Sequence, residues 1–160
     1  MTSIFDKYII ESNAIEGIHC DPTEGEKKEF RRFMMLDEVT IEDLEQFVRV
    51  YQPNAQLRDK TSIPGVRVGN HIAPPSGPQI RSLLSLLLFR VNGSGTDICP
   101  YEAHITYETL HPFTDGNGRS GRMLWAWQMG RSGLGLGFLH RFYYQTLDNI
   151  QKRKKEKLCP

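Results

Sequence analysis

The chain has 160 residues, and its 20 Lys and Arg nearly cancel 19 Asp and Glu, leaving a formal net charge of +1. One ordinary domain with a real core fits this length, and no global field points to nucleic acid or an anionic membrane as partner. The longest apolar run, Leu83 to Phe89 broken by Ser85, is too short to cross a bilayer, and Cys20, Cys99 and Cys159 lack the paired spacing of a zinc cage or redox couple.

No basic flank or small-residue cleavage site marks Met1 to Asp6 as a secretory signal, and unpaired cysteines suit a reducing cytoplasm. Thr2 or Ser3 caps a first predicted helix, with Asp6 completing a box and Ile4, Phe5, Tyr8, Ile9 and Ile15 on its apolar side; Gly17 ends it. A second helix is expected over Glu26 to Met35. Thr40 caps a third, whose Ile41, Leu44, Phe47, Val48 and Tyr51 recur at helical spacing.

From Gln52 to Gly77, prolines and glycines punctuate short β-leaning pieces, Ser62-Ile63 and Val66 to Val68, which predict an exposed hairpin over about 62–75. Pro78 opens a helix to about Val91, apolar on most sides and so expected at the centre, before Asn92-Gly93-Ser94-Gly95 stops it. Asp97 is the expected cap of the next helix, which runs through Pro100 to Leu110. A helix from Gly118 to about Met129, a glycine-rich break over 130–137 and a last helix over Leu139 to Lys157 complete the chain. The basic stretch Lys152 to Lys155 reads as the solvated end of that last helix.

The chemistry concentrates between His111 and Arg122, which read His-Pro-Phe-Thr-Asp-Gly-Asn-Gly-Arg-Ser-Gly-Arg. Pro112 fixes the backbone after His111 and Phe113 anchors the loop, so the imidazole is held where it can accept a proton. Asp115 offers one hard oxygen, enough for an Mg²⁺ ion that keeps its waters and bridges phosphates. Gly116 and Gly118 let the main chain approach an anion closely, Asn117 adds an amide donor, and a helix start supplies its positive end. Arg119 and Arg122, three apart near that same end, oppose the helix dipole unless an anion sits between them. Met123, Leu124, Ala126 and Trp127 read as core.

The pattern His-x-Phe-x-Asp-Gly-Asn-Gly-Arg-x-x-Arg resembles the signature of the Fic domain at every defining position, and the similarity extends to the preceding helix and the hairpin ending in Ala73-Pro74-Pro75. The resemblance implies one all-α domain over 1–160, a Fic-type helical bundle with a small β-hairpin flap. It implies a protein adenylyltransferase that moves AMP from ATP to a Ser, Thr or Tyr hydroxyl. His111 would be the base and Asp115 would hold Mg²⁺. Gly116, Asn117 and Gly118 would form the anion hole, while Arg119 and Arg122 would contact the β- and γ-phosphates. The flap residues Val68, Gly69, Asn70, His71 and Ile72 would pair with an extended target segment.

Ser12-Asn13-Ala14-Ile15-Glu16-Gly17 resembles the inhibitory helix of the same family, placed here within residues 1–20. By that resemblance Glu16 pairs with Arg122 and Ser12 fixes the helix, so the chain carries its own brake; in some relatives the same glutamate helps water remove AMP. Other transfers on this scaffold (UMP, phosphate, phosphocholine) and a non-catalytic nucleotide-sensing module are the alternatives. Doc-type kinases usually carry Ala and Lys where this chain has Gly116 and Gly118, a departure that favours AMP transfer. The expected partner is a target protein with an acceptor hydroxyl. Self-modification and a homo-oligomer are compatible with the sequence, whereas membrane and nucleic acid are not expected.

Overall fold

Three helices in the first third of the chain begin in the same way. Ser3, Thr23 and Thr40 lie in extended backbone and accept a hydrogen bond from the N–H three residues on, while Asp6, Glu26 and Asp43 reach back to the cap's own N–H. Each reciprocal pair satisfies two donors that a helix start would leave orphaned. In the computed structural model, which describes residues 3–93, 98–133 and 135, these caps open α1 (Ile4–Ile15), α2 (Glu24–Met34) and α3 (Ile41–Tyr51). Helix α2 starts two residues ahead of the sequence expectation because Thr23 and Glu26 form the box.

A two-stranded antiparallel hairpin follows, β1 (Arg67–Val68) with β2 (His71–Ile72), in the register Arg67 to Ile72 and Val68 to His71. Ser62-Ile63, expected to lean towards strand, instead folds into a turn in which the Ile63 N–H donates to Lys60 O. Then come α4 (Pro78–Asn92), α5 (Pro100–Leu110) and α6 (Asn117–Arg131). Pro100 opens α5 behind an N-cap at Cys99, whose Sγ accepts from the Glu102 N–H at 3.4 Å. The alternative cap Asp97 lies outside the described residues, as do Thr2, the helix expected over 139–157, its basic stretch and Cys159.

Helix α6 is the axis of the bundle and packs against α1, α2, α3 and α5. Its Met123, Leu124, Ala126 and Trp127 are buried with Phe33, Leu44, Ile80, Leu84 and Tyr107, each large apolar side chain contributing roughly 1.5–3 kcal/mol. Trp127 is a packing residue, its Nε1 donating to Leu36 O at 2.9 Å. Helix α4, expected at the centre, is buried on one side only. Leu83, Leu86 and Phe89 are exposed, and a groove of about 330 Å³ runs between α4 and α5. Leu83, Leu84, Leu86, Leu87 and Leu88 spread around the helix, so little 3.6-residue contrast marks its buried side.

Candidate active site

Helix α5 ends where the motif begins. His111 is its C-cap and adopts a left-handed backbone (φ 49°, ψ 62°), the one non-glycine residue with positive φ among those described. Such a conformation costs on the order of 1–2 kcal/mol, so neighbouring bonds must hold it. They do so from both sides. The segment 56–58 runs antiparallel to 112–114, with the Arg58 N–H donating to Pro112 O at 2.9 Å, the Thr114 N–H to Gln56 O at 2.9 Å, and Leu57 bridged to the buried Phe113. The Arg58 guanidinium donates to Leu110 O at 2.9 Å and to His111 O at 2.8 Å, placing a cation at the negative end of α5.

The imidazole is largely enclosed, and burial lowers its pKa to about 4, partly offset by a hydrogen bond with the Glu108 main chain. It is therefore neutral at cellular pH, with one ring nitrogen unprotonated. Nδ1 faces the buried Glu108 carboxyl at 3.9 Å, so Nε2 is the ring nitrogen turned away from it. Burial pushes the Glu108 carboxyl up to about 7, against the pull of Arg122.

Beyond the loop, Gly116 takes the left-handed conformation (φ 78°) and caps α6. A side chain there would press on Val48 Cγ1 at 3.2 Å. The first intrahelical bond is Ser120 N–H to Gly116 O, so the N–H groups of Asn117, Gly118 and Arg119 precede the ladder and form a cradle with the positive helix end behind it. The exposed Asp115 stands beside this cradle and accepts from the Gly116 N–H at 2.6 Å. One hard oxygen beside free main-chain donors fits a metal that arrives on a polyphosphate. Among the described residues, no cluster of three or more His, Cys, Asp or Glu forms a resident cage.

The Asn117 side chain departs from its expected role as an anion donor. Its Oδ1 accepts from the Phe113 N–H and its Nδ2 donates to Phe113 O, both at 2.8 Å, so the amide is consumed in clamping the loop and only its main chain faces the cradle.

Arg119 and Arg122 are both buried, and they leave α6 in different directions. The Arg119 guanidinium stacks over the Tyr51 ring of α3, 4.7 Å from its centroid. Arg122 reaches α1, where Nε donates to Ser12 Oγ at 2.9 Å and Nη2 donates to Ser12 O at 3.0 Å and to Glu16 Oε1 at 2.6 Å. Gly17, left-handed at φ 77°, closes α1 with its own N–H on Ala14 O and the Ile18 N–H on Asn13 O, which leaves Glu16 as the C-cap. A carboxylate at a helix C-terminus opposes the dipole, so Arg122 is what stabilises it there. Helix α1 is held down by the Tyr8 hydroxyl on Arg122 O at 2.7 Å and by Asn13 on Glu26 at 2.9 Å.

The hairpin stands over the end of α5. His71 Nε2 lies 2.9 Å from Thr109 O, and the Arg58 guanidinium adds to the lowering of the His111 pKa. Val68 and Ile72 expose apolar side chains, Gly69 makes the turn with Asn70, and Ala73 N–H on Val66 O extends the pairing.

Residues 35–129 match the profile of the Fic/DOC family. The chain belongs to that family. Its helical bundle with a small hairpin has the Fic fold: residues 134–508 of Fic-1 from C. elegans superpose with a TM-score of 0.65 at 24% identity, covering 94% of this chain and 56% of that one. A glutamate-to-glycine variant of the same fragment gives 0.61 at 24% identity, covering 92% and 55%. This Fic chain thus spans little more than half the length of those structures. No curated protein matches it by sequence.

Three site residues escaped the sequence reading. Tyr51 reads from the sequence only as part of an apolar face, and nothing in Asn-Ala-Gln-Leu-Arg-Asp singles out Arg58. Glu108 had a usable signal, since a residue three before His111 lies on the same side of α5.

Proposed function

We propose that this Fic-fold transferase moves AMP from ATP to a Ser, Thr or Tyr hydroxyl of a target protein, in the cytoplasm, and that Glu16 restrains it. What most supports the reading is that a neutral, largely enclosed His111 and the open N–H cradle of α6 share one short loop, with Arg119 and Arg122 on the same helix. The cradle and the two arginines bind the polyphosphate, and Asp115 would hold the accompanying Mg²⁺, which supplies charge neutralisation for the leaving pyrophosphate. The target oxygen attacks the α-phosphorus in line as His111 Nε2 takes its proton; the bond from that phosphorus to the bridging oxygen breaks, and pyrophosphate departs. The flap holds the target segment by strand addition.

While Glu16 occupies Arg122, the cation that should receive the γ-phosphate is engaged, so ATP must compete with a carboxylate of the same chain. The same glutamate, held at Arg122, would also position water for removal of AMP. The test is incubation of Glu16→Gly, with and without His111→Ala, in host lysate with labelled ATP and Mg²⁺. A labelled band that requires His111 supports the reading, and intact mass separates AMP from UMP or phosphate. Absence of any His111-dependent label would sink it.

A further inference from the structure

We propose that Arg58 is a positioning residue that locks the base His111 and the flap into one unit, a role whose catalytic consequence rests on the transferase reading above. Its side chain is fully buried, and among the described residues it has no carboxylate partner; burial alone acts on its pKa, lowering it. A cation is costly to keep in such a place unless oxygens surround it. Four do, and they come from two different parts of the site. Leu110 O and His111 O belong to the end of α5. Pro74 O at 2.8 Å and Ser76 Oγ at 3.2 Å belong to the root of the flap.

The main chain of Arg58 repeats the link, with its N–H on Pro112 O and its carbonyl accepting from the Gly77 N–H at 2.8 Å. At the hairpin end the flap is tied to the same turn of α5 by His71 on Thr109 O. The flap is therefore fixed to the last turn of α5 at both ends, and the left-handed His111 takes part in the Arg58 tie through its own carbonyl. Only a planar fork of donors reaches carbonyls on both sides at once; lysine keeps the charge but not the fork. A target strand paired with the flap is thereby held in register with the imidazole, and a shift of about 1 Å between them would cost on the order of 100-fold in rate.

The test uses the full chain labelled with ¹³C,¹⁵N-histidine. In Arg58→Lys the His111 and His71 resonances are expected to shift together, while His104, held by its Nδ1 3.0 Å from Gly121 O between α5 and α6, stays in place. In a Glu16→Gly background, the same substitution should lower kcat for AMP transfer on the order of 100-fold, with KM for ATP within about twofold. A stationary His111, a His111 shift without His71, or equal losses through KM would overturn the proposal. Should Arg58→Lys disturb His104 as well, Ser76→Ala decides, because it keeps Arg58 and removes one acceptor: joint movement of His71 and His111 supports the lock and any other result refutes it. The spectra need no turnover, so an inactive Glu16→Gly with the histidines still coupled would sink the transferase reading alone.

Discussion

Glu16 and Arg122, 106 residues apart in sequence, meet at 2.6 Å, with Arg122 almost wholly buried and Glu16 about 30% exposed. Breaking a fully buried pair costs about 3–5 kcal/mol. Here the partial exposure of Glu16 and the two bonds that Ser12 retains reduce the loss from Glu16→Gly to roughly 1–2 kcal/mol, or about 3–6 °C in melting temperature. Saturating ATP should restore that stability more in the variant than in the parent, because the phosphates no longer compete with a carboxylate. Thermal melts with and without ATP and Mg²⁺ check this. Equal ATP-induced shifts in both proteins would remove Glu16 as the brake.

Gly121 faces α5. A Cβ there would collide with Glu108 Oε1 and meet Tyr107 Cδ1 at 3.0 Å and His104 Cε1 at 3.3 Å, all from buried residues with little room to yield. Alanine normally stabilises a helix interior by up to about 1 kcal/mol relative to glycine. At this position overpacking dominates, and Gly121→Ala should destabilise by about 1–3 kcal/mol. Denaturant unfolding should show a lower midpoint for this variant and partial recovery on adding Glu108→Ala. A neutral or stabilised Gly121→Ala would mean that the α5–α6 packing is looser than described.

Much of this could be read from the chain because its signals are local. The capping residues Ser3 and Thr40, the apolar spacing of α3, the Gly17 stop and the His111 to Arg122 motif each declare themselves within a few residues. What escaped depends on contacts across long separations. Arg58 matters because its fork spans the end of α5 and the flap root, and Arg119 because α3 places Tyr51 beneath it. The role expected for the Asn117 amide failed for a related reason. A motif names the residue at a loop position, whereas the fold decides whether its side chain faces the ligand or the loop's own backbone.

Asn117→Ala follows from that correction. Two buried hydrogen bonds to the Phe113 main chain disappear together, leaving an N–H and a carbonyl unsatisfied next to the strained His111. The expected loss is on the order of 2–4 kcal/mol. Nucleotide binding should fall with it, since the loop that aims the cradle loses its clamp. Calorimetric titration with ATP in the Glu16→Gly background reads the second effect. Unchanged affinity with lowered stability would separate the clamp from the cradle.

Three enclosed groups, His104, His111 and Glu108, act on the acid response of the fold with opposing signs. Burial lowers the His111 pKa to about 4 and the His104 pKa to about 3, both from 6.5. As pH falls below 6.5 the unfolded chain therefore takes up protons that the folded one refuses, and stability drops. Glu108 acts in the other direction: raised from 4.5 to about 7, its carboxyl keeps a proton in the fold that the unfolded chain has released, so its contribution is full below pH 4.5 and is lost as pH rises through about 7. Two histidines outweigh one carboxyl between pH 6.5 and 4.5, and the net result is destabilisation by acid. His111 alone accounts for about 2–3 kcal/mol of it by pH 4.5. His111→Asn, which tolerates the left-handed backbone, should flatten the fall by that amount, whereas Glu108→Gln should steepen it by removing the opposing term. Urea midpoints at pH 7.5 and 4.5 for the three proteins measure both effects. An unchanged acid slope in His111→Asn would mean that burial does not hold the imidazole below its ordinary pKa of 6.5.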